Sequence, residues 1–490
     1  MTQNRYRHRP RFLFLLFLAA FIGVSSCDNP FRSKTYEYPE LLLPRSMTAF
    51  AGEEFSHVIN ASDPQNRTLD LFADGLPAWL KLIPEENRLT GTPSREDAGQ
   101  YQFEITADNG KKATRQTARL VVYASRSEYE LQQKIETSLD VITPGLRGLS
   151  VAVIDGEGDL SIAFTGDMGP GLTHRRVDRE SQFRIASVTK PMTTALILKL
   201  VDEGRLGLDD VVTDHYETQL PNANSITIRQ LLSHTAGVFD HLNANVFWST
   251  FSSNYSRIWT VEELVQFAVQ NGSLFTPGTS YRYSNTGFCV LGAVVEAITE
   301  MELEEAYQTM LFEPMGLQHT LYDNFSSSTH PIENLARSGR AYQYHLSAAG
   351  ASGAMVASPS DVASFGRQFY GGRYLSRELT DEISVNIGGR VGGQNYGLGT
   401  RIWNISGIPH HGHTGSLMDY RSILMYIPEF DLSIAIHAHD THTSWSTLVN
   451  DLFFYVVNNF TPKPVTDIYY IDREEEPVPE IRINDEIWIP

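Results

Sequence analysis

The chain has 490 residues, of which 41% are hydrophobic and 11% aromatic, and it carries 58 acidic against 39 basic side chains, a formal net charge of −19. This length exceeds what one compact core usually serves and predicts two or more domains, and the apolar content is typical of a folded chain. The strong negative charge argues against nucleic-acid binding and against electrostatic docking on anionic lipid.

The N-terminus has the pattern of an export signal. Four arginines between positions 5 and 11 precede an apolar run over 12–24, which is too short to span a bilayer comfortably. The run leads into Val24-Ser25-Ser26-Cys27, which resembles the lipobox of bacterial lipoproteins; the alternative is an ordinary signal peptide cut nearby. We therefore expect a signal peptide over 1–26, lipidation of Cys27, and a tether over 27–40 that anchors the protein in the bacterial cell envelope, on the periplasmic or outer-membrane face.

The sequence pattern over residues 41–124 predicts an all-β domain. Stretches such as 101–106 alternate apolar and polar residues, and turn sequences recur at short intervals, which predicts a small β-sandwich. The order of short sequence motifs over 76–101 resembles that in the cadherin-like and immunoglobulin-like repeats of bacterial surface proteins. The usual role of such repeats is spacing or adhesion. Asp63, Asp97 and Asp108 could bind calcium, but aspartate also favours turns, and the three are not clustered at ligand spacing.

Residues 128–460 change to mixed helices and strands. A strand is predicted over 148–154, and a helix begins near Ser187 and ends near Gly204. Pro191 is compatible with that helix only in its first turn, which places Ser187 at or beside the helix N-terminus. Cys289 lies in an apolar run, so we expect a small buried hydrophobic residue there rather than a nucleophile. With Cys27 lipidated, Cys289 is the only remaining cysteine, and no internal disulfide is expected.

The last segment, 461–490, is acidic and contains several prolines, which predicts a solvated tail. Four isoleucines between 481 and 489 also suggest extended pieces that dock on a domain.

Residues 128–460 contain the only Ser-x-x-Lys of the chain, Ser187-Val188-Thr189-Lys190. Residues three apart on a helix project from the same face, so a hydroxyl lies within reach of an amine that can activate it. The pair occurs among the catalytic signatures of penicillin-recognising enzymes, but a single such spacing also arises by chance, so the accompanying motifs decide.

Two later segments complete a candidate constellation. Tyr283-Ser284-Asn285 directly precedes an apolar helix predicted over 287–298, whereas a second Tyr-x-Asn at 322–324 lacks that context. His413-Thr414-Gly415-Ser416 precedes a strand predicted over 421–426.

Ser-x-x-Lys, Tyr-x-Asn and His-Thr-Gly in this order resemble the serine β-lactamase-like family, which contains class C β-lactamases, D,D-carboxypeptidases, D-aminopeptidases and esterases. The stretches 183–187, 231–237 and 396–399 resemble it as well. The resemblance implies a β-lactamase/transpeptidase-like α/β domain, with an antiparallel sheet flanked by helices and a helical subdomain. The fold class expected is therefore multidomain, an all-β sandwich followed by this α/β domain.

The chemistry that follows is acyl transfer through an acyl-enzyme on Ser187. A serine hydroxyl needs a base, and Lys190 and Tyr283 are both candidates: burial near a helix N-terminus favours a neutral amine, and neighbouring cations favour a phenolate. The sequence does not choose between them.

The resemblance also assigns substrate-binding roles. It implies an oxyanion hole made by the backbone N–H groups of Ser187 and Ser416, close approach of substrate along Thr414 and Gly415, and a contact of Asn285 with a substrate amide.

His413 departs from the β-lactamases of the family, which usually carry a lysine there as a fixed cation for the drug carboxylate. Histidine is more similar to the D,D-peptidase and D-aminopeptidase branches, and it could bind a carboxylate when protonated or hydrogen-bond when neutral. Efficient antibiotic hydrolysis is therefore less expected than action on cell-wall peptides that contain D-amino acids.

Three alternatives remain. Esters or, weakly, β-lactams could be the substrates of the same machinery, which needs no cofactor. A zinc hydrolase would use the histidine clusters at 410, 411, 413 and 437, 439, 442, although their order is wrong for a metallo-hydrolase. A non-catalytic lipoprotein would bind the cell wall or a partner through its sandwich, but would not need Ser187, Lys190 and Tyr283.

Overall fold

The computed structural model describes residues 35–142, 146–166, 176–322, 345–392, 395–405, 407–418, 420–440 and 445–461. The expected signal peptide, Cys27, the beginning of the tether, His442 and the tail after residue 461 lie outside these ranges. Within the described ranges, no helix combines the length and the apolar character that a membrane span requires. The chain divides into two compact units, one built mainly of residues up to 121 and the other mainly of residues from 122 onward.

The N-terminal region is all-β, as predicted. Its described strands are β1 (Glu40–Leu42), β2 (Met47–Phe50), β3 (Phe55–Val58), β4 (Asn60–Ser62), β5 (Asp70–Asp74), β6 (Leu80–Ile83), β7 (Arg88–Gly91), β8 (Gly99–Asp108) and β9 (Ala113–Tyr123). One sheet has the order β2–β9–β8–β5, a second the order β3–β7–β6, and β1 pairs with β4. Phe103, Ile105 and Ala107 alternate along β8 and are all buried, so the period-two pattern marks the face that packs on the core.

The aspartates considered for calcium stabilise turns in this region. Asp63 Oδ1 accepts the backbone N–H groups of Gln65 (2.8 Å) and Arg67 (3.2 Å), and Asp108 Oδ1 accepts that of Gly110 (2.8 Å). Asp97 accepts the backbone N–H of Ser94 at 2.8 Å. Each carboxylate thus has the local role that aspartate commonly takes in turns.

The second region contains the predicted mixture of helices and strands. Its described strands are β10 (Leu146–Ile154), β11 (Leu160–Gly166), β12 (Phe183–Arg184), β13 (Thr320–Tyr322), β14 (Met355–Ala357), β15 (Arg401–Ile405), β16 (Ile408–Leu417), β17 (Tyr420–Ile427) and β18 (Leu432–Asp440). Its described helices are α1 (Arg126–Ile142), α2 (Thr189–Asp202), α3 (Ile228–Leu232), α4 (Asn245–Ser253), α5 (Val261–Asn271), α6 (Asn285–Thr299), α7 (Leu303–Tyr307), α8 (Glu313–Met315), α9 (Pro359–Tyr370), α10 (Arg377–Ile383), α11 (Ile387–Gly392) and α12 (Trp445–Asn459).

The central sheet is antiparallel and is covered on both faces, which confirms the predicted α/β architecture. Its order is β11–β10–β18–β17–β16–β15. Along β10, Leu149, Val151 and Val153 pack in one core with residues of α1 and α12, while Ala152 and Ile154 pack in another with residues of α2, α6 and α9. Because successive side chains of a strand point to opposite faces, one apolar strand supplies both cores.

The helix that follows Ser187 begins as predicted. Residues Ala186–Val188 form a 3₁₀ turn, α2 continues from Thr189, and Pro191 lies in its first turn. The chain leaves the helix at Gly204, whose φ is 68°.

Cys289 is a free, buried thiol on α6, and burial raises its pKa to about 12. This confirms the expected apolar role and excludes a ready thiolate nucleophile.

Candidate active site

Ser187 lies at a strained turn between a core strand and a buried helix. Ala186, immediately before it, has a φ of 48°, a left-handed conformation that non-glycine residues rarely adopt. Its neighbours Ile185, Ala186 and Val188 are buried, whereas Ser187 keeps partial exposure. The turn therefore presents the hydroxyl to solvent while its neighbours pack into the core.

Lys190 is fully buried, and its amine lies against the Ser187 hydroxyl. Its Nζ is 3.2 Å from Ser187 Oγ, 2.7 Å from Asn285 Oδ1 and 2.8 Å from the carbonyl oxygen of Ser352. The amide and carbonyl oxygens can only accept, so the amine donates to both. A neutral amine then has its lone pair left for the proton of Ser187, which is the arrangement that a general base requires.

Asn285 begins α6 and is held in one orientation. Its Nδ2 donates to Asp240 Oδ2 at 2.9 Å, and a carboxylate only accepts, so Oδ1 must be the atom that faces Lys190. Asn285 can therefore offer a substrate amide fewer hydrogen-bonding groups than the sequence suggested. The acceptor of Asn285 is occupied by Lys190, and the second N–H bond of Nδ2 is the group left for a substrate.

Tyr283 lies beside the same amine. Lys190 Nζ is 4.7 Å from the centroid of the Tyr283 ring, and the ring is 8% exposed. The structure thus brings Ser187, Lys190 and Tyr283 together from segments almost 100 residues apart in sequence.

His413 is fully buried and both of its ring nitrogens bond to protein groups. Nδ1 is 2.6 Å from the carbonyl oxygen of Thr414 and must donate to it, so in the neutral ring Nε2 accepts from the hydroxyl of Tyr396 at 3.0 Å. Burial, and next the charge of Arg401, lower the pKa of His413 well below its usual value. Of the two roles that the sequence allowed, the geometry favours the neutral, hydrogen-bonding histidine.

Gly415 allows β16 to pass close to the turn that carries Ser187. A Cβ atom at this position would lie 2.1 Å from the carbonyl oxygen of Ile185, a distance that no side chain tolerates. Ser422 on β17 donates to the same carbonyl at 2.7 Å. Thr414 is buried next to Gly415, and Ser416 follows with partial exposure. The strand and the nucleophile turn are therefore held together, and the role of the Ser416 N–H group in an oxyanion hole stays a prediction.

His234 and Tyr396 are site residues that the sequence argument did not assign. The rings of His234 and Tyr283 have centroids 4.2 Å apart, and those of His234 and Tyr396 4.7 Å apart. His234 Nδ1 accepts the backbone N–H of Ser284 at 3.2 Å, and burial, followed by the charge of Lys190, lowers its pKa well below the usual value. Both residues belong to stretches that resemble the family, 231–237 and 396–399. The sequence therefore pointed to these stretches but did not say what His234 and Tyr396 do.

Arg401 is a further residue without a sequence signal. It lies on β15 opposite Gly412, and its guanidinium carbon is 5.9 Å from the centroid of the Tyr283 ring. It also lowers the pKa of both His413 and His234. Positive charge is therefore present near His413, although the histidine itself is neutral.

The histidines of the zinc alternative point to different places. His410 packs between Trp403 and Phe453, with ring centroids 5.4 and 5.1 Å away, while His413 faces Tyr396 and Tyr283. His437 packs against Phe183. Among the described residues, no three His, Cys, Asp or Glu side chains converge as metal ligands would.

Comparison with known families and structures agrees with this geometry. Residues 131–452 match the family described as Beta-lactamase, and residues 39–123 match the family described as Putative Ig domain.

Two curated penicillin-binding proteins are related to the chain. It is 25% identical to penicillin-binding protein 4 of Amycolatopsis lactamdurans over 65% of this chain and 89% of the relative. It is also 25% identical to penicillin-binding protein 4* of Bacillus subtilis over 51% of this chain, and there it spans 59% of the relative's length.

Among solved structures, a D-stereospecific amidohydrolase from Streptomyces sp. is 26% identical, with a TM-score of 0.56 over 66% of this chain and 97% of that chain.

Proposed function

The chain belongs to the beta-lactamase family, whose model matches more than half of its residues, and from that premise we propose that it hydrolyses peptides or amides containing D-amino acids through an acyl-enzyme on Ser187. One observation carries the proposal: the buried amine of Lys190 is 3.2 Å from Ser187 Oγ, and two fixed acceptors orient it. A binding protein would have no need to bury a lysine against a serine, because burial of an amine costs free energy.

The first step is attack on the substrate carbonyl. The proton of the Ser187 hydroxyl passes to Lys190 Nζ while Oγ forms a bond to the carbonyl carbon. The electron pair of the C=O double bond moves onto oxygen, and the backbone N–H groups of Ser187 and Ser416 would stabilise the resulting oxyanion.

The second step expels the amine. The C–N bond breaks, the electron pair of the oxyanion re-forms the carbonyl, and the leaving nitrogen takes a proton from Lys190 or from Tyr283, which lies against it. A water molecule then attacks the acyl-enzyme, gives one proton to the same base, and Ser187 recovers its hydroxyl proton as the acid product leaves.

The preference for peptides and amides over β-lactam drugs is supported by the charges of the site. His413 is buried and neutral, so it does not supply the fixed cation that β-lactamases of the family use. Arg401 supplies positive charge nearby, but it would suit the carboxylate of a drug as well as that of a peptide, so the preference rests on His413. The Streptomyces relative is named for D-stereospecific amide hydrolysis, which supports substrates of that stereochemistry.

A substrate panel tests the proposal. We expect hydrolysis of a D-aminoacyl amide or a D-Ala-D-Ala peptide, little turnover of the L-enantiomers and of a cephalosporin, and no activity in Ser187→Ala. Preferential turnover of short-chain esters would show that the protein is an esterase that uses the same catalytic residues, rather than a peptidase. Failure of folded protein to hydrolyse any of these or to react with a fluorophosphonate would favour a non-catalytic binding protein.

The proposal includes export and anchoring through a lipid on Cys27, supported by the basic and apolar N-terminal pattern. Incorporation of labelled palmitate in a bacterial host, and its loss in Cys27→Ser, would test it. Equal labelling of both proteins would contradict the anchor, whereas export without any labelling would indicate an ordinary signal peptide.

A further inference from the structure

Asp240 is a buried carboxylate that the reaction described above does not use. It is 3% exposed and comes directly before the short 3₁₀ turn His241–Asn243. Its two oxygens have different partners: Oδ1 accepts the backbone N–H of Leu242 at 3.1 Å, and Oδ2 accepts Nδ2 of Asn285 at 2.9 Å. The first contact caps a turn, but the second joins Asp240 to the amide that holds Lys190.

We propose that Asp240 is a positioning residue for the Ser187–Lys190 pair, which locks the amide of Asn285 in the orientation that accepts from Lys190 and places a negative charge behind it. The proposal rests on the proposed function only for its kinetic test.

Hydrogen-bond donors and acceptors on both sides of Asn285 lock its amide in one orientation. A flipped Asn285 would direct its NH₂ group at Lys190 Nζ, 2.7 Å from the present position of Oδ1, and donor would face donor. The carboxylate of Asp240 excludes the flip because it can only accept. Without Asp240, the two orientations of the Asn285 amide would differ much less in free energy. The amine of Lys190 would then no longer be held against Ser187 in one geometry.

The negative charge of Asp240 is not compensated by its neighbour in sequence. His241 lies next to Asp240 but does not neutralise it: Nε2 donates to the carbonyl of Ala348 at 2.9 Å, and Nδ1 is left to accept from the hydroxyl of Thr286 at 3.0 Å. Burial lowers the pKa of His241 in spite of the neighbouring carboxylate. Asp240 is therefore paired with Lys190 through Asn285, rather than with its own neighbour in sequence.

Other titratable or charged groups also face the amine from the elements packed around it. They are Ser187 on the nucleophile turn, Tyr283 before α6, Cys289 on α6, His234 after α3, His241, and His413 on β16. Arg401 on β15 lies near the Tyr283 ring and lowers the pKa of His234 and His413. The three histidines are neutral and the thiol is protonated, because burial dominates at each. Asp240 is thus the carboxylate among them that can balance the lysine and arginine.

Asp240→Asn separates this role from simple capping. The new side chain keeps an oxygen for the N–H of Leu242, so the turn retains its cap, but it places an NH₂ group opposite Nδ2 of Asn285. We expect kcat/KM to fall about 100-fold, the size of loss that a displacement of about 1 Å produces at a reacting centre. Removal of the negative charge destabilises the protonated amine, so the acid limb of the kcat/KM profile should move to lower pH.

Asp361→Asn is the matched control. Asp361 is a buried carboxylate of α9 that accepts the backbone N–H of His319 at 2.7 Å and the hydroxyl of Thr320 at 2.8 Å, and these partners differ from those of Lys190. This variant should lose stability without moving the acid limb. If Asp240→Asn behaves in the same way, Asp240 is only a structural cap and the proposal is wrong.

The exchanged pair Asp240→Asn with Asn285→Asp provides a rescue. The carboxylate introduced at position 285 would accept both from Lys190 and from the amide introduced at position 240, so every donor again meets an acceptor, with the charge now closer to the amine. The carboxylate at position 285 also lacks the N–H that Asn285 offers to a substrate, so the double variant is compared with Asn285→Asp, which shares this loss. We expect kcat/KM above that of Asn285→Asp alone and an acid limb at higher pH than in the wild type. Asn285→Asp alone sets two carboxylates against each other and should be the least active. A double variant no more active than Asn285→Asp alone would overturn the locking argument.

A spectroscopic titration keeps this test independent of hydrolysis. In protein carrying ¹³C at lysine Cε, the signal of Lys190 can be assigned by its loss in Lys190→Arg and followed against pH. Lys190 should lose its proton at lower pH in Asp240→Asn than in the wild type, and an unchanged titration overturns the charge argument. A protein that hydrolyses nothing in the substrate panel would refute the proposed function, while this titration would still decide the role of Asp240.

Discussion

Two groups of side chains meet at Ser187, and they handle charge in opposite ways. The amine chain, Lys190, Asn285 and Asp240, links an amine to a carboxylate through one oriented amide. The histidine cluster, His234, Tyr283, Tyr396 and His413, packs rings together, and its two histidines are kept neutral by burial and by the cations nearby. A histidine in a hydrolase site therefore need not be the base. Here an amine lies 3.2 Å from the hydroxyl, and both histidines bond to other protein groups.

Lys190→Met tests the amine chain with the largest expected effect. Methionine keeps much of the buried volume but removes the group that takes the Ser187 proton. We expect kcat/KM to fall about 10²- to 10⁴-fold, the usual contribution of general-base catalysis. Steady-state kinetics on the best D-aminoacyl amide measures it, with circular dichroism as the check on folding. A folded variant with more than a tenth of the activity would show that the amine is not the base.

Gly415→Ala tests how β16, which carries His413, is held against the nucleophile turn. The added methyl would meet the carbonyl of Ile185 at 2.1 Å, so strand and turn must separate. A shift of this kind should lower kcat/KM by about 100-fold. Gly287→Ala on α6 is the control, because its methyl would meet no atom closer than 3.5 Å, and its activity should stay near that of the wild type. Equal activity of the two variants would mean that the close approach is not required.

The pH dependence of the free energy of unfolding tests whether the buried histidines are neutral in the folded protein. Burial lowers the pKa of His410 to about 4 and that of His437 to about 3, and it lowers the pKa of His413 and His234 well below the usual value. The unfolded chain binds protons at these residues below about pH 6.5 and the folded chain does not, so the free energy of unfolding should fall as the pH falls from 6.5 towards 4. His410 alone should contribute a loss of about 3 kcal/mol over that range.

Urea denaturation at pH 7 and pH 4.5 measures this loss. His410→Phe keeps a ring between Trp403 and Phe453 and should reduce the pH dependence. A stability that is constant between the two pH values would contradict neutral histidines in the folded state.

Tyr396→Phe tests the histidine cluster with the smallest expected effect. The substitution removes the hydroxyl that donates to His413 Nε2 at 3.0 Å and leaves a buried acceptor without that donor. The free energy of unfolding should drop by about 1 to 3 kcal/mol, while kcat/KM falls much less than in Lys190→Met. Thermal denaturation and kinetics together check it. A loss of activity as large as that of Lys190→Met would place the proton path through His413 instead.

Much of the architecture was predictable because it depends on local patterns. The alternation along β8, the apolar strand β10 and the position of Pro191 in α2 each follow from the sequence of a single element. The motifs of Ser187, Tyr283 and His413 indicated the site because their order resembles that of a known family. The pairing of strands and the convergence of these motifs agree with that resemblance.

What the sequence could not show depends on neighbours from distant segments. The carbonyl of Ser352 that orients Lys190 belongs to a residue with no motif, and the link from Asp240 to Asn285 spans 45 residues. The protonation of His413 is decided by Tyr396, Arg401 and the depth of burial, none of which a His-Thr-Gly motif specifies. Contacts of this kind appear only when the chain is folded.

The central claim is that Ser187 forms the acyl-enzyme, and mass spectrometry tests it most directly. Intact protein is incubated with a fluorophosphonate or with a slowly hydrolysed penicillin, and the adduct is then mapped by digestion. The account predicts one adduct per chain, on the peptide that contains Ser187, and none in folded Ser187→Ala. An adduct that persists in Ser187→Ala, or folded wild-type protein that takes up neither reagent, would contradict it.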